Sequence, residues 1–216
     1  MSPEAARDLT GHDRLEITDQ RTDPMKKIVS SLTSLTLCLA MAMPAHAAEC
    51  GGVRLPDTVT VNGTALTLNG LGIREATVFN VDVYVAGLYL EHRSTSGAAI
   101  IQSTETRRLV LRFVRDVSRE EMVEALQQGF ARNAGGALPA LNARMNRLNA
   151  WMPELREGSV LTFTYTAGAG IQVQTGSTVR GTIEGDDFAR VFFSIWLGSS
   201  PPNAGLKRGL LGGRCG

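Results

Sequence analysis

"NGLGIREATVFNVDVYVAGLYLE", residues Asn69 to Glu91, alternates apolar with other residues on either side of a reversal near Val78, Phe79, Asn80 and Val81. A period of two on both sides of a turn is the pattern of a strand hairpin. Arg74 stands among apolar neighbours on the first strand, and Tyr84 falls at a similar distance from the turn on the second. The two are expected to be cross-strand neighbours, provided the register holds, because a slip of one residue turns every side chain to the opposite face. Two readings of Arg74 follow. Its stem can cover apolar neighbours on a surface strand while its head stays in water. Alternatively, its guanidinium sits at the mouth of an apolar cleft and holds a carboxylate or enolate by two parallel hydrogen bonds, with Tyr84 adding a phenolic donor.

The flanking sequence extends the sheet. Upstream, "DTVTVNGTALTLNG" gives two short strands joined by Asn62-Gly63, a dipeptide suited to a two-residue hairpin turn. Downstream, "TSGAAIIQS" predicts a small helix. "TRRLVLRFVRD" predicts a strand with Leu109, Leu111 and Phe113 on one face and Arg108, Val110, Arg112 and Val114 on the other. Ser118 begins a helix, with Glu121 completing a capping box and Met122, Ala125, Leu126, Gly129 and Phe130 at helical spacing. A second helix is expected from Pro139 to Trp151. After Gly158 the period returns to two in "SVLTFTYTA", "GIQVQTG" and "STVRGTIEG", three strands separated by glycine-containing turns. Asp186 and Asp187 open an apolar helix, "FARVFFSIWLG", that Gly198 ends, and Pro201 and Pro202 link it to a short helix in "NAGLKRGLLGG". Strands, then helices, then strands and a helix give an α+β fold with an antiparallel sheet covered on one face.

Ahead of this region, "MKKIVSSLTSLTLCLAMAMPAHAAEC" starts at Met25 with the organisation of a secretory signal. Lys26 and Lys27 are its basic end, Ile28 to Met43 its apolar run, and Ala45-His46-Ala47 its cleavage site. Interruption by Ser and Thr and the closing Pro44 argue against a spanning helix. The expected organisation is an over-extended leader over residues 1–24, a signal peptide over 25–47 and a single domain over 48–216, periplasmic or secreted, with no transmembrane segment after cleavage. Cys38 leaves with the signal, and the remaining even pair, Cys50 and Cys215, predicts a disulfide in an oxidising compartment. Two unrelated thiols are the alternative; a lipoprotein is disfavoured because Glu49 directly before Cys50 does not suit a lipobox. Beyond residue 47 the chain carries 17 basic against 15 acidic residues, so no nucleic-acid or anionic-membrane partner is implied.

Signals for catalysis are sparse. His92, the single histidine past the signal, lies beside Glu91 and Arg93. It reads as a solvated turn residue rather than part of a triad or a metal cage. Asp186 and Asp187 complement a helix dipole, and Glu120, Glu121 and Glu124 form a solvated helix face. "GTIEGDD" lacks the glycine arrangement of a phosphate loop. No pattern calls for a metal or an organic cofactor.

The hairpin "NGLGIREATVFNVDVYVAGLYLE" resembles the first hairpin of the chalcone isomerase family, and "DDFARVFFSIWLGSSPPNAGLKRGLLG" looks like the closing segment of its bacterial, chalcone isomerase-like branch. The closing segment is the more specific, since its W-L-G, proline link and K-x-x-L-L-G occur together in order. The similarity spans Val53 to Gly212. It implies an open-faced β-sandwich, a large antiparallel sheet with helices packed on one face and a ligand cleft between. In the plant enzymes of the family an arginine guides and stabilises an anionic chalcone during ring closure, and Arg74 is the position that matches it. Tyr84 stands where those enzymes have a catalytic threonine, Glu121 or Met122 where they have a tyrosine, and Gln128 where they have an asparagine. Members that bind fatty acids without catalysis are similar to this chain in pairing the arginine with a tyrosine. The resemblance therefore implies a non-catalytic protein holding a fatty acid or other hydrophobic carboxylate through Arg74 and Tyr84. Two further readings stand beside it: an isomerase (intramolecular lyase) acting on a chalcone-like phenolic enone, and a structural envelope protein with its cleft filled and Arg74 paired internally.

Overall fold

The computed structural model describes residues 47–76 and 81–215. The expected leader and nearly all of the expected signal, and the turn over residues 77–80 of the opening hairpin, lie outside the described residues.

A short hairpin comes first. Its strands β1 (Ala47–Cys50) and β2 (Val53–Pro56) pair antiparallel, and Gly51 and Gly52 turn between them at φ 52° and 75°, values that glycine adopts without steric cost. Seven further strands form one antiparallel sheet in sequence order: β3 (Thr58–Val61), β4 (Thr64–Ala76), β5 (Val81–Leu90), β6 (Arg107–Phe113), β7 (Val160–Thr166), β8 (Gly170–Thr175) and β9 (Thr178–Ile183). The described α-helices are α1 (Gly97–Gln102), α2 (Arg119–Asn133), α3 (Leu138–Ala150), α4 (Asp186–Leu197) and α5 (Ala204–Leu210), with a 3-10 turn over Gly135–Ala137 between α2 and α3. The α+β architecture, with a large antiparallel sheet and helices on one face, is the expected one. Asn62, at φ 49°, makes the β3–β4 turn with Gly63. At the start of α2, Ser118 Oγ accepts from the Glu121 N–H while Glu121 Oε2 accepts from the Ser118 N–H. Ala125, expected on the buried face of α2, is exposed; Met122, Leu126, Gly129 and Phe130 make that face. The β1–β2 hairpin was not expected, because four-residue strands around Gly-Gly carry too little alternation to read.

The sheet separates two apolar clusters. The larger lies between sheet and helices and includes Leu88, Leu109, Phe113, Phe163, Phe192 and Trp196. The smaller lies on the other face, where Val53 and Leu55 of β2 cover Leu66, Leu68, Leu71, Val85 and Tyr89. In strict alternation Leu66, Leu68, Gly70, Gly72 and Arg74 would share one face. They do not, because the register shifts between Leu68 and Gly70, and Asn69 has no partner on β5. This bulge exchanges the faces. Leu71 and Ile73 continue the surface covered by the small hairpin, while Gly70 and Gly72 back onto α5, where a Cβ would collide with the carbonyl oxygens of Gly209 and Leu206. The extra residue is itself a clamp: Asn69 Nδ2 donates to the carbonyls of Ser94 (3.0 Å) and Leu210 (2.7 Å), and its Oδ1 accepts from the Ser94 N–H at 2.8 Å. Below it, Cys50 and Cys215 form a disulfide with Cα atoms 5.8 Å apart, joining β1 to the chain beyond α5. No described helix is long and apolar enough to cross a membrane.

Candidate functional site

The bulge delivers Arg74 to the helix-covered face, where it pairs with Tyr84 across β4 and β5 as the sequence suggests. Tyr84 is 7% exposed and meets Phe113 edge-on, with ring centroids 5.4 Å apart. Trp196 of α4 donates its Nε1–H to the Tyr84 hydroxyl oxygen at 3.0 Å. An indole N–H can only donate, so the phenol accepts from Trp196 and keeps its own proton to give elsewhere. Burial pushes the Tyr84 pKa up to about 12, against the opposing effects of the Trp196 hydrogen bond and the Arg74 charge. The phenol is therefore protonated, and a donor, at neutral pH.

Arg74 supplies the neighbouring donor. Its Nη1 is buried and has no hydrogen-bond partner among the described residues. Leaving such a donor unsatisfied costs about 1–3 kcal/mol, more when it is charged. Along the same face Gly70 lies against Gly209 and Gly72 against Leu206, and Asn203, just before α5, reaches the backbone of Ile73, the residue preceding Arg74. Asn203 Nδ2 donates to the carbonyl of Ile73 at 3.1 Å, and its Oδ1 is buried without a partner among the described residues. Cross-strand neighbours thus supply a guanidinium N–H and a phenolic O–H, and no acceptor among the described residues is assigned to either. That arrangement suits an oxyanion.

The space around this pair is mostly closed. Phe113, Phe163, Phe192 and Trp196 are all buried, with centroids 4.8 Å apart for Phe163 and Phe192 and 5.1 Å for Phe192 and Trp196. Three cavities of about 220, 270 and 440 Å³ have linings that include neither Arg74 nor Tyr84.

Other residues singled out in the sequence lie elsewhere. Glu121 is exposed and engaged with Ser118, Met122 is buried in the helix-side core, and exposed Gln128 donates to Glu124 at 3.0 Å. His92 is exposed with Nδ1 2.9 Å from Glu105 Oε1. Asp187 accepts two hydrogen bonds from Arg144, at 2.7 and 2.6 Å, and these hold its carboxyl down to about 2. Asp186 accepts from the Tyr165 hydroxyl at 2.9 Å. Among the described residues no group of three His, Cys, Asp or Glu is placed to hold a metal ion. Trp196 and Asn203 join the site without having been singled out. Trp196 carried a signal, since a buried indole N–H needs an acceptor; Asn203 carried none beyond its place after the proline link.

A family model described as chalcone isomerase-like matches residues 47–212. The crystal structure of a fatty-acid binding protein from Arabidopsis thaliana is similar in fold, with a TM-score of 0.62 and 14% sequence identity over 77% of this chain and 96% of that one. No curated protein matches the sequence.

Proposed function

This chain belongs to the chalcone isomerase-like family, and from that premise we propose that it is an exported protein that binds a fatty acid or another hydrophobic carboxylate, with Arg74 and Tyr84 holding the acidic head. The observation that carries the proposal is the buried, unpartnered Nη1 of Arg74 beside a phenol whose acceptor role Trp196 already fills. Two donors without an acceptor match the two oxygens of a carboxylate, and charge-assisted hydrogen bonds of this kind are the strong ones. The fold shared with a plant protein named for fatty-acid binding supports the same ligand class. Ring closure is the less supported chemistry: of the two residues that could stand for the plant enzymes' tyrosine, Met122 is buried in the helix-side core and Glu121 is engaged with Ser118, and Gln128, where those enzymes have an asparagine, is engaged with Glu124. The signal-like organisation of residues 25–47 and the Cys50–Cys215 bridge support export.

Aromatic side chains fill the core behind Tyr84, so an acyl chain can enter only if some of them move, and Trp196 is in direct contact with the head-group site. Native mass spectrometry of the protein from a periplasmic extract tests the reading. A co-purified adduct of fatty-acid mass that disappears in Arg74→Ala is expected. A bare wild-type protein that also fails to take up added dodecanoate would overturn it.

A further inference from the structure

A second arginine is buried more deeply than the first. Arg107, the first residue of β6, is 1% exposed, and it occupies the inward parity of Leu109, Leu111 and Phe113. Its guanidinium lies over two aromatic rings, 4.1 Å from the centroid of its cross-strand partner Tyr165 and 4.6 Å from that of Phe193 on α4. Nη1 donates to the carbonyl of Ser103 at 2.7 Å. Nε and Nη2, the two nitrogens along one edge of the guanidinium, have no partner among the described residues. No described carboxylate forms an ion pair with Arg107; the nearby Asp186 accepts from Tyr165 instead. Burial lowers the Arg107 pKa to about 10, with Tyr165 and Asp186 opposing the shift and Arg190 adding to it, so the side chain stays charged at neutral pH.

This edge belongs to a residue that lines a cavity of about 220 Å³ between α1 and the start of β6. Leu90, Ala99 and Ile100 give that cavity an apolar wall, and Ser103 and Arg93 give it polar ones. Its acidic lining residue, Glu105, is held by His92 at 2.9 Å. A cavity smaller than the roughly 300–1,000 Å³ that accepts drug-sized molecules suits a compact ligand. Two parallel N–H groups match the two coplanar oxygens of a carboxylate.

We propose that Arg107 and the cavity beside α1 form a second binding site, for a short-chain carboxylate whose acid group takes the Nε and Nη2 edge and whose alkyl part lies on Leu90, Ala99 and Ile100. The unpartnered nitrogens are closed off from solvent, so an acid group reaches them only when the side chains packed around them move. The site is independent of the fatty-acid reading, since it shares no residue with the Arg74 and Tyr84 pair.

Isothermal titration of butanoate into the full chain tests it, using wild type, Arg107→Met, Arg74→Ala and Ala99→Phe. Position 99 is exposed, so the last variant fills the cavity mouth without disturbing the core and keeps the test decisive should Arg107→Met fail to fold. One equivalent is expected to bind wild type and Arg74→Ala alike, with affinity reduced at least about tenfold in Arg107→Met and Ala99→Phe, as for a lost charge-assisted pair. Absence of wild-type binding up to ~10 mM, a concentration that detects even millimolar affinity, would overturn the proposal. Loss in Arg74→Ala with retention in Arg107→Met would overturn it too, by assigning butanoate to the first site. Equal competition by inorganic phosphate would remove the carboxylate assignment.

Discussion

Trp196 and Tyr84 constrain each other at the residue scale, because each supplies what the other lacks in a buried setting. Replacing Tyr84 with Phe leaves the Trp196 N–H without its acceptor, which is expected to cost about 1–3 kcal/mol of stability in urea unfolding and to weaken carboxylate binding about tenfold through the lost donor. The same phenol makes stability depend on alkaline pH. Its folded pKa of about 12 stands above the unfolded value of 10.0, so its contribution is complete below pH 10 and is lost as pH rises through about 12. The linkage amounts to about 3 kcal/mol at most. Tyr89, also raised to about 12, adds a contribution of the same sign, and Arg107, lowered to about 10, one of the opposite sign. The difference between wild type and Tyr84→Phe isolates Tyr84: unfolding free energies measured from pH 9 to 12 should converge as the pH rises, and a constant difference would contradict the burial assigned to the phenol.

At the scale of elements, β4 shows why the site was partly legible. The cross-strand pairing of Arg74 and Tyr84 followed from the hairpin pattern alone, because distance from a turn fixes which residues meet. Which face they occupy did not follow. Leu66 and Leu68 share the parity of Arg74, and only the bulge at Asn69 separates them. An asparagine within a strand gives no sign from one sequence that it adds an unpaired residue. Arg107 escaped notice for a related reason. Its parity with Leu109 was readable, yet an arginine at a strand end is ordinarily a surface residue, and its burial depends on rings from β7 and α4 that are distant in sequence. Asn69→Ala removes three hydrogen bonds, with an expected cost of about 2–4 kcal/mol summed over the buried groups left unmet. Urea unfolding measures it. Gly72→Ala tests the contact between strand and helix from the other side. Its Cβ meets the Leu206 backbone rather than a side chain that could swing away, so α5 must shift, at about 1–3 kcal/mol, and Asn203 must shift with it.

At the scale of the whole molecule, the described chain covers one face of its sheet with helices and the other with a small hairpin, then ties that hairpin to the segment that follows α5. The Cys50–Cys215 bridge closes 165 residues of sequence separation. In the chain-entropy account a loop of that size contributes about 5 kcal/mol, chiefly by restricting the unfolded chain. Cys215→Ser should lower the urea midpoint by a corresponding amount and abolish its sensitivity to reductant; an unchanged midpoint would mean that the bridge does not restrain the unfolded chain. The cysteine pairing was readable from the expected loss of Cys38 with the signal, because the two remaining cysteines allow one connectivity. The filled aromatic core was not readable, since periodicity gives the face of each element but not how tightly the faces interlock. Under the proposed carboxylate-binding reading, ligand entry requires side-chain movement, and affinity becomes the decisive quantity. The measurement that tests this most directly is calorimetric titration of dodecanoate into wild type and Arg74→Ala. If Arg74 holds the acidic head, the variant should retain its fold and bind roughly 10–100-fold more weakly, the range expected when charge-assisted hydrogen bonds are removed. A folded variant that binds dodecanoate as tightly as wild type would contradict the central claim.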